Sequence, residues 1–315
     1  MIGTKILGFG GYQPDKVVTN DDLAKIVDTN DEWIRSRVGI QSRRVAGDDE
    51  TVADMAEAAG AKALAASGLE PSEVDLVIVA TCSPESPLPN VSATVAHRLG
   101  IPAPGAYDLN AACAGFCYGI GAASDSVRAG SARNVLVIGA EKMTSWIDWT
   151  DRSTCIIFAD GAGAAVVGQA GAGEQSGIGP VVWGSAGDLA QKITIDGRDG
   201  SLRQDGQSVF RWATSAIAPV ALEACRRAGV TPAEISAFVS HQANLRIVES
   251  IAKKLGIPRE RVADDIIQSG NTSSASIPLA LSRMAEQGRL QPGTPALLIG
   301  FGAGMCYASQ VITVP

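Results

Sequence analysis

The sequence is sparing with most of the residue types that mark a specialised surface. Aromatic residues make up 5 % and charged residues 19 % of its 315 positions, and the net charge is −7. An acidic chain with so little charge has no general nucleic-acid-binding surface. No apolar run approaches the roughly 18–20 residues a membrane span needs, so no membrane partner is expected. The start, Met1-Ile2-Gly3-Thr4-Lys5, has no charged segment, apolar run and cleavage site in series. The expected location is therefore the cytoplasm. Six cysteines, at 82, 113, 117, 155, 225 and 306, form neither a CxxC pair nor a Cys/His cluster. Reduced thiols and no metal site are expected. Phe301-Gly302-Ala303-Gly304 is not followed by Lys-Ser/Thr, and no GxGxxG runs into a helix, so a phosphate loop is excluded. There are only two histidines, which makes each conspicuous.

What is present is small, apolar and repeated. Hydrophobic residues reach 46 %, with 35 glycines. Gly68-Leu69-Glu70-Pro71-Ser72-Glu73-Val74-Asp75-Leu76-Val77-Ile78-Val79 has a counterpart in Gly229-Val230-Thr231-Pro232-Ala233-Glu234-Ile235-Ser236-Ala237-Phe238-Val239-Ser240. Each reads as a glycine helix stop, a proline just beyond it and an apolar strand. Leu99-Gly100-Ile101-Pro102 answers to Leu255-Gly256-Ile257-Pro258, and Val135–Gly139 to Ala296–Gly300, in the same order. The strands at 75–80, 135–140, 237–241 and 296–300 are continuous apolar runs, as expected where both faces are covered. The pattern predicts two repeated α/β halves with mixed, largely parallel sheets, residues 1–170 and 171–315, joined through Gln169 to Gly179. Sites in such sheets gather at the carboxyl ends of strands, so two halves share a central cleft.

Four segments carry candidate residues. Cys113 follows a short strand ending near Leu109 and opens a small-residue helix running to Val127. Nearby N–H groups and the helix end favour a thiolate there, although a buried, inert thiol is the commoner fate of a free cysteine. His241 directly follows the strand 237–240, whereas His97 lies inside a helical run and reads as a surface residue. Asn271, in Gly270-Asn271-Thr272-Ser273, answers by position to the Cys113 turn, with a plain capped turn as the alternative. The glycine-rich turn after 296–300 exposes backbone N–H groups suited to an oxyanion.

Taken together, Asn110-Ala111-Ala112-Cys113-Ala114-Gly115-Phe116, His241-Gln242-Ala243-Asn244 and Gly270-Asn271-Thr272-Ser273 resemble the three signatures of β-ketoacyl-acyl carrier protein synthase III. Asp160-Gly161-Ala162-Gly163-Ala164 and Asp31–Ile40 match as well, and the resemblance runs over essentially the whole chain. It implies a thiolase-like fold and an acyltransferase. An acyl-CoA acylates Cys113, and malonyl-acyl carrier protein loses CO2 to give a carbanion that attacks the thioester. His241 and Asn271 then serve the enolate, and the backbone N–H groups of Cys113 and Ala303 form the oxyanion hole. The family usually has glycine at the second of these positions.

The resemblance also implies that Trp33 and Arg152 sandwich the CoA adenine, with Thr29 and Arg37 near its phosphates, Asn244 on the pantetheine and Phe210 at the mouth. CoA is then a substrate, and no cofactor is expected. Leu88, Phe158 and Phe301 would wall the acyl pocket, Leu88 reaching across a homodimer. Arg211, Arg246, Lys253 and Lys254 would receive the acidic carrier protein. Taken alone, Lys253-Lys254 reads as a solvated helix face. The stretch from Trp183 to Gln207 is shorter than the family pattern, which, with Leu88 in place of a bulky Phe, implies room for more than acetyl. A polyketide-priming synthase, a simple acyltransferase and an inactive binding partner are the competing readings. Asn271 argues against simple transfer, and retention of Cys113 and His241 against an inactive subunit.

Overall fold

The computed structural model describes residues 2–197 and 200–315. A five-stranded sheet runs in the order β1 (Thr4–Tyr12), β7 (Asp160–Gln169), β6 (Asn134–Lys142), β4 (Leu76–Ala80), β5 (Gly105–Leu109). A four-stranded sheet runs β11 (Ala237–Ser240), β12 (Pro295–Phe301), β13 (Tyr307–Thr313), β8 (Val182–Gly184). Two short hairpins, β2 (Val17–Thr19) with β3 (Ser42–Arg44) and β9 (Ile193–Ile195) with β10 (Leu202–Gln204), stand outside both sheets.

Strand alternation sorts the side chains into layers. In β6, Val135 and Val137 point inward to helices α5 (Gly115–Arg128) and α10 (Ser276–Glu286). Leu136 and Ile138 point outward to α3 (Val52–Ser67) and α4 (Val91–Arg98). In β12, Ala296 and Leu298 face the same central helices, and Leu297 and Ile299 face α7 (Gly206–Ala228) and α8 (Leu245–Leu255). The result is helix, sheet, helix pair, sheet, helix. Four short helices, α1 (Asn20–Leu23), α2 (Asp31–Val38), α6 (Arg152–Cys155) and α9 (Ile266–Ser269), contribute Leu23, Ile34, Cys155 and Ile266 to a satellite core.

The internal repeat holds down to register. Leu76 pairs with Val135 in the first sheet as Ala237 pairs with Ala296 in the second. Val77 also faces Ala106 of β5, and its counterpart Phe238 makes a single bridge to Val262, where a fifth strand would lie. The helix stops match too: Gly68 and Gly229 sit at φ 71° and 72°, each followed by a one-turn helix, Pro71–Glu73 and Pro232–Glu234.

The sheets are mixed, as expected. Only β4–β5, β4–β6 and β11–β12 are parallel, while β1, β7, β8 and β13 join antiparallel. Helices cover both faces of β7 and bury every residue of it but Gln169, so an antiparallel strand here reads as continuously apolar. The carboxyl ends of the parallel strands β5, β11 and β12 lead into Cys113, His241 and Ala303, whereas Asn271 follows α9.

Candidate active site

Cys113 and Asn271 sit in equivalent turns built the same way. In the first, Asn110 Oδ1 accepts from the N–H of Ala112 at 3.1 Å, and Ala112 takes φ 45°. In the second, Asn271 Oδ1 accepts from the N–H of Ser273 at 2.9 Å, and Ser273 takes φ 50°. Each turn rests on a glycine of the opposite sheet. A Cβ on Gly300 would come within 2.8 Å of Ala114 Cα, and one on Gly139 within 2.4 Å of the Ser274 carbonyl oxygen. These glycines are required by the backbone approach they permit.

Both turns and the end of β11 open into one cavity of about 980 Å³, lined by Cys113, His241, Asn271, Phe158, Phe301 and Ala303 among others. The backbone N–H groups of Cys113 and Ala303 approach the Cys113 sulfur, while the Ser273 hydroxyl beside it donates to Glu141 at 3.0 Å. Gly302 makes this possible, since a Cβ there would lie 2.9 Å from that sulfur. These donors do not make the resting thiol acidic, contrary to the expectation from the helix end. Burial dominates and pushes Cys113 up to about 12, aided by the negative Glu141 and opposed by the nearby N–H groups.

His241 is 2 % exposed, held by its backbone N–H on the Ile299 carbonyl at 2.7 Å and by Phe301 edge-on at 5.4 Å. Burial pushes its imidazole down to about 3, so it is neutral at ordinary pH. Asn271 is pinned through its backbone, donating to Ile157 and accepting from Ala159, each at 2.9 Å, on either side of Phe158. With Oδ1 spent on Ser273, no acceptor among the described residues takes its Nδ2, which is left for the cavity.

The residues expected around CoA divide. Trp33, Arg37, Arg152, Phe210 and Asn244 line the cavity, whereas Thr29 does not, and its buried hydroxyl has no partner. The Arg152 guanidinium lies 4.7 Å from the Trp33 ring centroid and donates to the Asp28 carbonyl at 2.7 Å. The guanidinium thus rests against the Trp33 ring with no layer between them. Asn244 is committed to the protein: its Oδ1 caps α8 at 2.9 Å, and its Nδ2 donates to the Arg37 carbonyl at 3.1 Å.

The basic residues divide as well. Arg211 and Arg246 are exposed at the mouth, Arg246 over the Phe210 ring at 5.2 Å. Lys253 and Lys254 lie in the last turn of α8, where cations suit the helix dipole, and Lys254 donates to the Thr214 carbonyl. Leu88 is 79 % exposed and outside its own chain's cavity. The short stretch after Trp183 contains β9–β10, whose Ile193, Ile195 and Leu202 wall the cavity, while 198–199 lie outside the described residues.

Sequence reasoning passed over Ser273, Ser276, Cys82 and Glu141. Glu141 is fully buried at the end of β6, and its carboxylate accepts from the hydroxyls of Thr81, Ser83, Ser273 and Ser274 at 2.6–3.1 Å. It thereby ties the Asn271 turn to the first sheet. The one available signal was its place in the repeat, two residues beyond Gly139 where Gly302 follows Gly300.

Comparison with known proteins agrees with this architecture. The 3-oxoacyl-[acyl-carrier-protein] synthase III family matches residues 107–187, and its C-terminal domain matches 225–314. A β-ketoacyl-[acyl-carrier-protein] synthase III of Streptomyces coelicolor is 54 % identical over 99 % of both chains. A mycobacterial β-ketoacyl-[acyl-carrier-protein] synthase III from Mycobacterium avium is 46 % identical over 98 % of this chain and 95 % of its own. Among solved structures, the priming β-ketosynthase of the R1128 polyketide pathway superposes with TM-score 0.96 at 43 % identity, covering 99 % of this chain and 96 % of that one. The synthase III of Aquifex aeolicus gives 0.95 at 41 %, over 99 % and 100 %. With the sheets, the paired turns and the identity all agreeing, the chain belongs to the 3-oxoacyl-[acyl-carrier-protein] synthase III family of thiolase-like condensing enzymes.

Proposed function

We infer that the chain performs the initiating condensation of fatty acid synthesis, joining an acyl-CoA primer to malonyl-acyl carrier protein with loss of CO2 to give 3-ketoacyl-acyl carrier protein. The observation that carries this is the convergence of Cys113, His241 and Asn271 on one cavity, from the turns after β5 and β11 and from the turn after α9. In the first half-reaction the Cys113 sulfur attacks the thioester carbon, the C–S bond to CoA breaks, and the thiol proton leaves on CoA. The N–H groups already aimed at the sulfur from Cys113 and Ala303 are placed to hold the oxyanion. In the second, the malonyl carboxylate departs as CO2, and the enolate oxygen takes donors from Asn271 Nδ2 and the His241 ring. A neutral imidazole can donate without first acquiring a proton.

The large apolar cavity supports a primer longer than acetyl, with Phe158, Ile193 and Leu202 around the chain. The exposed Arg211 and Arg246 at the mouth suit an acidic carrier protein. A homodimer through β5 is part of this reading. That strand is the sheet edge, and an unpaired edge invites a second strand. The adjoining loop, from which Asn90 donates to the Ala106 carbonyl at 3.0 Å, carries the exposed Leu88. No helix among the described residues is long and apolar enough to cross a membrane, and a cytoplasmic setting accords with that.

Polyketide priming is the second reading, favoured by the similarity to the R1128 priming ketosynthase. Incubation with malonyl-carrier protein and a panel of acyl-CoAs, with products read by mass, tests both. A 3-ketoacyl-carrier product is expected; acyl transfer without CO2 release would overturn the condensation, and acceptance only of a polyketide carrier would select the second reading.

A further inference from the structure

Ser276 opens α10 directly behind His241 and is 1 % exposed. Its Oγ lies 2.7 Å from His241 Nδ1 and 3.2 Å from the backbone nitrogen of Gln242. A backbone N–H can only donate, so Gln242 takes one lone pair of the hydroxyl oxygen. The single hydroxyl proton then requires an acceptor, and among the described residues Nδ1 is the one within reach.

We propose that Ser276 is a positioning residue that donates its hydroxyl proton to His241 Nδ1 and thereby fixes the imidazole in the Nε2–H form. This deepens the condensation reading and rests on it. A neutral imidazole carries one ring proton, and the nitrogen that accepts leaves that proton on the other. With Nδ1 satisfied inside the protein, Nε2 presents an N–H to the cavity that Cys113 and Asn271 share. The opposite tautomer would present a lone pair to an oxygen gaining negative charge, which repels it. The same arrangement bars His241 from taking the Cys113 proton, so the two half-reactions respond differently to the loss of Ser276.

The ring orientation is constrained from two sides. Phe301 meets it edge-on, and Ser276 is itself fixed by the Gln242 N–H. Gln242 is anchored in turn, donating to the Ser240 carbonyl at 2.8 Å and accepting from the N–H of Ile266 at 3.0 Å. The hydroxyl therefore approaches Nδ1 from a rigid frame.

The presence of only two histidines makes the test direct. His97 is exposed on α4, far along the chain from the site, and a His97→Gln background leaves one ring to observe. In that full-length protein, 15N-histidine NMR is expected to show a protonated Nε2 and an unprotonated Nδ1. Ser276→Ala should mix or reverse the two forms and lower CO2 release from malonyl-carrier protein at least tenfold, while acylation of Cys113 by acyl-CoA stays within about twofold. Ser276→Thr, which keeps a hydroxyl, should recover both the ring signature and part of the CO2 release. A protonated Nδ1 in the parent protein overturns the proposal, and so does Ser276→Ala with ring state and CO2 release unchanged. If the parent releases no CO2, the condensation reading fails on its own, and the NMR arm still decides the role of Ser276.

Discussion

The turn at Asn110–Ala114 and the turn at Asn271–Ala275 are one structure used twice, and their surroundings differ at a single decisive place. Beyond Gly139 the first sheet carries Glu141, whose carboxylate fills the space beside the second turn and gathers the Ser273 and Ser274 hydroxyls. Beyond Gly300 the second sheet carries Gly302, which leaves the corresponding space beside Cys113 free of side chain. One copy is locked by a buried acid; the other is left open for an acyl group. The comparison teaches that the chemistry depends on what faces each turn as much as on the turn itself.

Exchanging the residues at the two equivalent tips should have the largest effect. Cys113→Ser is expected to lower turnover by a factor on the order of 10³ or more, as removal of a nucleophile does, with no acyl adduct by mass. Ser274→Ala should still form the adduct and lose about 1–3 kcal/mol of stability, because its hydroxyl bridges Glu141 and the Ala80 carbonyl. An adduct on another cysteine in wild type would break the comparison.

The paired asparagines come next. Asn271→Ala should retain acylation and lose decarboxylation by about 10²–10³, the usual effect of deleting a donor aimed at developing charge. Asn110→Ala removes only the turn bond to Ala112 and should cost about 0.5–1.5 kcal/mol in denaturant melts. Normal CO2 release in the first variant would refute the division of labour.

Breaking the buried lock is a third route. Glu141→Ala strands the hydroxyls it gathers, and a loss of about 1–3 kcal/mol is expected, read from the denaturation midpoint. A loss below about 1 kcal/mol would mean that Glu141 does not brace the Asn271 turn.

The pH dependence isolates His241. Its folded pKa, about 3, lies below the ordinary value near 6.5, so between these the unfolded chain binds the extra proton. Stability from this group is complete above about pH 6.5 and falls as the solution is acidified, by at most about 1.4 kcal/mol per pH unit. His241→Gln should flatten the melting temperature against pH between about 6.5 and 4. An unchanged slope would show that the ring charges without penalty.

The smallest effect is at the mouth. Arg246→Glu should raise KM for malonyl-carrier protein several-fold and leave acylation by a small acyl-CoA nearly unchanged, and added salt should weaken the wild-type interaction. Equal damage to both half-reactions would place Arg246 in the CoA channel instead.

Much of this was legible in the residues. The helix stops at Gly68 and Gly229, the strands after Pro71 and Pro232, and the placing of Cys113 and His241 at strand ends follow from short-range pattern, and Asn271 follows from its place in the repeat. Three things did not follow. Covered antiparallel strands such as β7 read like parallel ones. The resting state of Cys113 depends on how deeply the other half buries it, which no local motif encodes. The contacts of Glu141 with Ser273 and of His241 with Ser276 join residues far apart in sequence, and serine has no signature that announces such a partner.

The crossed seating of the turns also sets when the enzyme comes into being. Cys113 is synthesised well before Gly300, Gly302 and Ala303, so a nascent chain carries its thiol through translation without the floor and N–H groups that later surround it. The reactive sulfur acquires its setting only when β12 and the turn after it lie against it. Catalytic competence thus requires both halves, and a chain stopped before β12 lacks Gly300, Gly302 and Ala303 and has no assembled centre with which to sequester acyl groups.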